Sequence, residues 1–83
     1  MKVPDQVMEA FKSAFSMLNW RGEMFEVDDR GWVIKLAGWT VDGQQCLATE
    51  YWVSDLWMLD ADVIDSFLSN WIADAKEEYQ QHH

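Results

Sequence analysis

Apolar residues recur with the 3.6-residue period of an α-helix near both ends of the chain. Between Pro4 and about Asn19, polar residues share one helix face and apolar residues share the other. The apolar residues are Val7, Phe11, Ala14, Phe15 and Leu18. Pro4 suits a first helical position, because its missing N–H would have no partner there. Gly22 can adopt the left-handed conformation that ends many helices. The pattern therefore predicts a first helix that Asn19–Gly22 terminates.

A second amphipathic helix is predicted from about Ala61 to Gln80. Its apolar face consists of Ile64, Phe67, Leu68, Trp71, Ile72 and Ala75. Asp60 is the predicted N-cap, and Asp62 adds favourable negative charge to the first turn. Ser54 to Leu59 fit neither period, so we predict a loop or a short extra strand there.

The pattern from Glu23 to Val53 is typical of β-strands, with turns predicted at Arg30-Gly31 and Asp42-Gly43. Two-residue turns at these positions predict the following opposite residues: Glu26 and Lys35, Val27 and Ile34, Phe25 and Leu36, Lys35 and Glu50, Ile34 and Tyr51, Leu36 and Thr49. The three strands then form an antiparallel meander.

These registers give the sheet one charged and one apolar face. Glu26, Lys35 and Glu50 form a row on the charged face. The apolar face holds Phe25, Val27, Ile34, Leu36, Tyr51 and Val53. Two amphipathic helices can cover it. We therefore predict a two-layer α+β fold, α-β-β-β-α, with both helices on one face. The expected organisation is a single domain over residues 1–83, in which 80–83 form a frayed tail whose histidine pair is a candidate tag remnant.

Negative charge is concentrated in the second half of the chain. The 83 residues include 15 acidic and 6 basic side chains, a net charge of −9. Residues 1–41 hold six acids and five bases, and residues 42–83 hold nine acids and only Lys76. Such a surface repels nucleic acid and anionic lipid and attracts basic proteins. We expect a protein partner with a basic, nucleic-acid-binding surface, and no direct binding to nucleic acid or membrane. Solubility is the alternative explanation of the charge.

Residue types argue against an enzyme. The only histidines are His82 and His83, so serine and Cys46 lack an imidazole partner, and zinc lacks its ligands. The carboxylates of Asp60, Asp62 and Asp65, and of Asp28 and Asp29, could hold a hard cation, although helix capping and turn formation explain them more simply. We expect no catalytic residue, metal or cofactor. The lone cysteine and the lack of an apolar leader favour a cytoplasmic location.

Two classes of binding protein are consistent with these features. The first is a small acidic inhibitor or regulator whose acidic contacts are Asp62, Asp65, Asp74, Glu77, Glu50 and Asp55. In one version, nucleic-acid mimicry, the pairs Asp62/Asp65 and Asp74/Glu77 replace phosphates. In size and acidity the chain is similar to phage-encoded anti-CRISPR proteins and to acidic toxin-immunity proteins, which would imply a host cytoplasm. That likeness is one of type and covers no alignable stretch.

The second class is a homodimeric adaptor or chaperone-like module that binds an apolar protein segment. Six tryptophans are more than a small core can readily bury. Trp71 belongs to the apolar face of the second helix, whereas Trp39, Trp52 and Trp57 are expected to be exposed on or beside the open sheet face. Exposed aromatic residues beside a charged rim are typical of protein-binding surfaces.

Overall fold

The computed structural model describes residues 2–27, 31–53 and 61–82. The elements follow the order α1 (Asp5–Ala14), β1 (Asn19–Val27), β2 (Gly31–Trp39), β3 (Gln45–Val53) and α2 (Ala61–His82). The strands form an antiparallel sheet in the order β1-β2-β3. This confirms the predicted α+β fold. The loop or short extra strand predicted at Ser54–Leu59 and the predicted cap at Asp60 lie outside the described residues.

Both helices bury their apolar faces against the same face of the sheet. The ring centroids of Phe11 in α1 and Trp71 in α2 are 4.6 Å apart. Those of Tyr51 in β3 and Phe67 in α2 are 4.5 Å apart. The buried core draws on all five elements: Val3, Val7, Phe11, Phe15, Met24, Ile34, Leu36, Leu47, Val53, Leu68, Trp71 and Ala75. The predicted placement of both helices on one sheet face is therefore confirmed.

Helix α1 begins one residue later and ends five residues earlier than predicted. Pro4 is the N-cap, so Asp5 is the first helical residue. At the other end Phe15 leaves the helical conformation, and the N–H of Leu18 donates a hydrogen bond to its carbonyl at 3.1 Å. Leu18 nevertheless packs against the core. The apolar spacing of a helix therefore continues beyond the end of α1, because the turn after Phe15 places Leu18 against the same core.

The prediction that Gly22 ends the first helix is wrong. Gly22 lies within β1, directly opposite Leu36. A Cβ atom at Gly22 would lie 2.5 Å from Met8 Sδ and 2.9 Å from Leu36 Cδ2. Glycine is needed here because α1 packs closely over the strand, not because a helix stops.

The predicted register between β1 and β2 is also wrong. Lys35 lies opposite Glu23, and Glu26 lies opposite Trp32, a displacement of three residues from the predicted pairing. An odd displacement exchanges the two faces of a strand. Phe25 and Val27 therefore lie on the face away from the helices, and neighbouring Met24 is in the core. Val27 lies opposite Gly31, so the pairing does not close at the predicted two-residue turn of Arg30-Gly31.

The predicted register between β2 and β3 is confirmed, including Lys35 opposite Glu50. The turn itself differs from the prediction. The N–H of Gly43 donates to the carbonyl of Thr40 at 2.9 Å, and Gly43 has a φ of 81°, which favours glycine. This geometry gives a three-residue loop at 41–43, which by itself would shift the register by one position.

A β-bulge at Cys46 cancels that shift. Gly38 lies opposite Leu47, and the next residue of β2, Trp39, lies opposite Gln45. Cys46, between Gln45 and Leu47, therefore has no opposite residue on β2. One extra residue on β3 therefore compensates for the longer loop.

Helix α2 continues through Gln80 and Gln81 to His82, which were predicted to form a frayed tail. The ring of Tyr79 lies 6.0 Å from that of Phe15. This contact packs the last turns of α2 against the end of α1, so helical structure persists beyond the predicted boundary.

Candidate functional site

Helix α2 carries five carboxylates, all of them exposed to solvent. Leu68, Trp71 and Ala75 form its buried side. We use the term acidic helix side for the exposed carboxylates of α2: Asp62, Asp65, Asp74, Glu77 and Glu78. Lys76 is the only lysine or arginine in the helix, so five acids less one base give α2 a net charge of −4.

Carboxylates on α1 and the sheet are mostly neutralised by neighbouring cations. Ion pairs join Lys2 to Asp5 at 3.7 Å, Lys12 to Glu9 at 3.8 Å and Lys35 to Glu50 at 3.4 Å, and a further pair joins Arg21 to Glu23. By contrast, Asp74, Glu77 and Glu78 form no ion pair with any part of the chain that the structure describes. Uncompensated negative charge is thus concentrated on α2.

The four α2 carboxylates predicted as contacts are spread around the helix. Asp65 Oδ1 accepts a hydrogen bond from Gln6 Nε2 at 3.1 Å, so Asp65 lies on the flank beside α1. At the usual 3.6 residues per turn, the pair Asp62/Asp65 and the pair Asp74/Glu77 are centred about 120° apart around the helix axis. The acidic helix side is therefore a broad surface with two flanks, and its carboxylates do not form a single line.

The second candidate surface is the outer sheet face, by which we mean the face of the sheet away from the helices. Its side chains form rows that cross the three strands. The rows, written from β1 to β3, are Phe25–Val33–Trp52, Glu23–Lys35–Glu50 and Arg21–Ala37–Ala48, and Trp39 extends the face towards the β2–β3 turn.

The row Phe25–Val33–Trp52 is apolar, and its two outer members are partly exposed to solvent. Phe25 is 44% exposed and Trp52 is 47% exposed, whereas Val33 between them is only 3% exposed. With Val27, Lys35 and Glu50, these side chains line a hollow of about 320 Å³. Two exposed aromatic residues beside a shallow hollow are typical of a surface that binds another protein.

The middle row balances the charge of the outer sheet face. Lys35 Nζ lies 3.4 Å from Glu50 Oε2 and 5.7 Å from the centroid of the Phe25 ring. With the pair Arg21–Glu23, the face carries two cations and two carboxylates. Beyond this row, a second hollow of about 350 Å³ is lined by Arg21, Glu23, Lys35, Leu36, Ala37, Trp39, Ala48, Thr49 and Glu50.

The structure divides the predicted contact residues between the two surfaces. Glu50 lies on the outer sheet face, paired with Lys35, and not with the carboxylates of α2. Trp52 lies on the outer sheet face, and Trp39 is half-buried there. Asp55 and Trp57 lie outside the described residues. Phe25 was not among the predicted contact residues, because a two-residue turn before β2 would place it in the core, whereas the observed pairing with Val33 places it on the outer sheet face.

Within residues 2–27, 31–53 and 61–82, no group of three or more histidine, cysteine, aspartate or glutamate side chains converges in a way that could hold a metal ion. Neither described helix combines the length and apolarity needed to cross a bilayer. No protein-family model, curated protein or solved structure matches this chain.

Proposed function

We propose that this protein is a small, non-catalytic inhibitor or regulator that binds a basic surface of another protein through its acidic helix side. The observation that carries this proposal is the segregation of charge: among the described residues, all carboxylates on α1 and the sheet except Glu26 have cation partners, whereas α2 has a net charge of −4. A concentrated field of one sign accelerates encounter with a partner of the opposite sign. A nucleic-acid-binding protein in the same cytoplasm, such as a host protein targeted by a phage inhibitor, offers such a surface.

The spread of the carboxylates favours general charge complementarity over detailed nucleic-acid mimicry. A mimic of one strand would present its carboxylates in a line that follows the phosphates. Asp65 lies beside α1, and the Asp74/Glu77 pair lies about a third of a turn away at 3.6 residues per turn. A partner that accepts a broad negative surface fits this arrangement better than one that requires phosphate spacing.

The test is a capture experiment with two charge-matched variants. Asp74→Asn with Glu77→Gln removes two negative charges from the acidic helix side. Asp5→Asn with Glu9→Gln removes two from the exposed side of α1, where each carboxylate has a lysine partner. The wild-type protein and both variants are immobilised, exposed to host lysate at low and high salt, and the bound proteins are identified by mass spectrometry.

We expect the wild-type protein and the α1 variant to capture the same basic, nucleic-acid-binding protein, and the α2 variant to capture it at least tenfold less. Binding should weaken with added salt and be displaced by DNA or RNA. Equal capture by the α2 variant, or capture that is indifferent to salt, would reject the acidic helix side as the binding surface.

A second candidate function is an adaptor that binds an apolar segment of another protein. It is favoured by the exposure of Phe25 and Trp52 on the outer sheet face. In that case Trp52→Ala should abolish capture of the partner, whereas the α2 variant should leave it unchanged. Salt should have little effect on such an apolar contact.

A further inference from the structure

The outer sheet face differs electrostatically from the rest of this acidic molecule. The whole chain has a net charge of −9, and α2 alone contributes −4. The outer sheet face carries Arg21 and Lys35 against Glu23 and Glu50, so its charges cancel. Two copies of the chain repel each other when their acidic helix sides approach, because like charges interact unfavourably. An approach of outer face to outer face keeps the α2 helices on opposite sides of the assembly.

We propose that the outer sheet face is the interface of a homodimer, in which the two sheets stack face to face with the helices outside. Stacked sheets pack about 10 Å apart and bury the side chains of their facing rows. This arrangement removes Trp52 from water. It does not depend on the function proposed for α2, which remains exposed on each copy.

The residue rows complement one another when the two-fold axis runs parallel to the strands, between β2 and β3. Each residue of β2 then faces its own β3 neighbour on the second copy. The large indole of Trp52 meets the small side chain of Val33, and the ammonium of Lys35 meets the carboxylate of Glu50. Ala37 meets Ala48, which leaves space for the larger side chains in the adjoining rows. Size and charge are therefore complementary in each of these rows.

The size of the face indicates a weak dimer. The two strands that overlap, β2 and β3, have nine residues each and cover about 30 Å by 10 Å, or roughly 300 Å² per copy, at ordinary strand dimensions. A standard stable interface buries about 800 Å² per partner. We therefore expect association in a concentration range well above that of a permanent dimer, with free exchange between monomer and dimer.

The test is sedimentation equilibrium of the full chain from micromolar to millimolar concentration. The variants are Trp52→Ala, Lys35→Glu, Lys76→Glu and the charge exchange Lys35→Glu with Glu50→Lys. Lys35→Glu and Lys76→Glu change the net charge equally, but Lys76 lies on α2, so it controls for general repulsion. Circular dichroism and denaturant unfolding establish that each variant is folded.

We expect the average mass of the wild-type protein and of Lys76→Glu to rise towards that of a dimer with concentration. Trp52→Ala and Lys35→Glu should associate at least tenfold more weakly, and the charge exchange should restore most of the association. A wild-type protein that stays monomeric, or folded Trp52→Ala and Lys35→Glu variants that dimerise like the wild type, would overturn the proposal. If the wild type stays monomeric while a foreign apolar segment binds at Trp52, the adaptor function is supported and the homodimer is rejected.

Discussion

The indole N–H of Trp71 donates a hydrogen bond to Thr49 Oγ1 at 2.8 Å. Trp71 lies on α2 and is 2% exposed, and Thr49 lies on β3 on the face that the helices cover. A buried polar group of this kind is stable only with a partner in a defined position. The bond therefore helps to determine which side of α2 meets the sheet, and consequently which side presents its carboxylates to solvent.

Thr49→Val should lower the free energy of unfolding by about 1–3 kcal/mol. Valine keeps nearly the same shape but removes the acceptor, which leaves the buried Trp71 N–H without a hydrogen bond. Thr40→Val is the matched control, because the Thr40 hydroxyl donates to the Gln44 carbonyl at an exposed position. Chemical denaturation of both variants measures the difference. If Thr49→Val is no more destabilised than Thr40→Val, the Trp71–Thr49 bond does not contribute to stability.

Trp71→Ala and Trp52→Ala should have very different effects on the fold. Trp71 contacts Phe11, Tyr51 and Phe67 in the core, so its removal should cost about 3–5 kcal/mol. Trp52 lies on the outer sheet face and is nearly half exposed, so its removal should cost about 1 kcal/mol or less at protein concentrations where the chain is monomeric. Denaturant midpoints of the two variants provide the measurement. A Trp52→Ala variant as unstable as Trp71→Ala would mean that Trp52 belongs to a second core.

The elements and layers could be predicted because they depend on periodicity and on one buried face. Ile64 to Ala75 repeat every three or four residues, and this stripe is the side of α2 that is buried. The register of β2 and β3 was predicted correctly although the turn at Asp42-Gly43 was not. The three-residue loop and the bulge at Cys46 shift the pairing in opposite directions, so the alternation of core residues is preserved.

The parts that could not be predicted depend on contacts between distant segments. A glycine after an apolar stripe is typical of the end of a helix. Only the packing of Met8 over Gly22 shows a different reason for a glycine at this position. Phe25 and Met24 are adjacent apolar residues, so hydrophobicity alone cannot decide which of them enters the core. Trp52 was predicted to lie on the open sheet face, but its row with Phe25 depends on that choice and was not predicted.

Gly22→Ala should destabilise the protein by about 1–3 kcal/mol, because the added methyl group would overlap Met8 and Leu36 in a packed interior. Met8 is the nearest contact and has a flexible side chain, so Met8→Ala should relieve part of the overlap. A double-mutant cycle of these two substitutions, measured by denaturant unfolding, should show that Gly22→Ala costs less in the Met8→Ala background. Strictly additive effects would contradict the close contact between α1 and β1.

The register of β1 against β2 can be tested by cysteine cross-linking in a Cys46→Ser background. Glu23 and Lys35 are directly opposite, so their Cα atoms should be about 4.5–5.5 Å apart, within the range that a disulfide spans. The test pair is therefore Glu23→Cys with Lys35→Cys.

Glu26→Cys with Lys35→Cys is the matched pair for the register that the sequence pattern predicted. In the observed register those two residues lie on opposite faces and about 10 Å apart along the strands, because three residues separate their rows. Mild oxidation followed by non-reducing peptide mapping should therefore find an intramolecular disulfide between positions 23 and 35 and none between 26 and 35. The reverse result would return Phe25 to the core, and the outer sheet face would lose one of its two exposed aromatic residues.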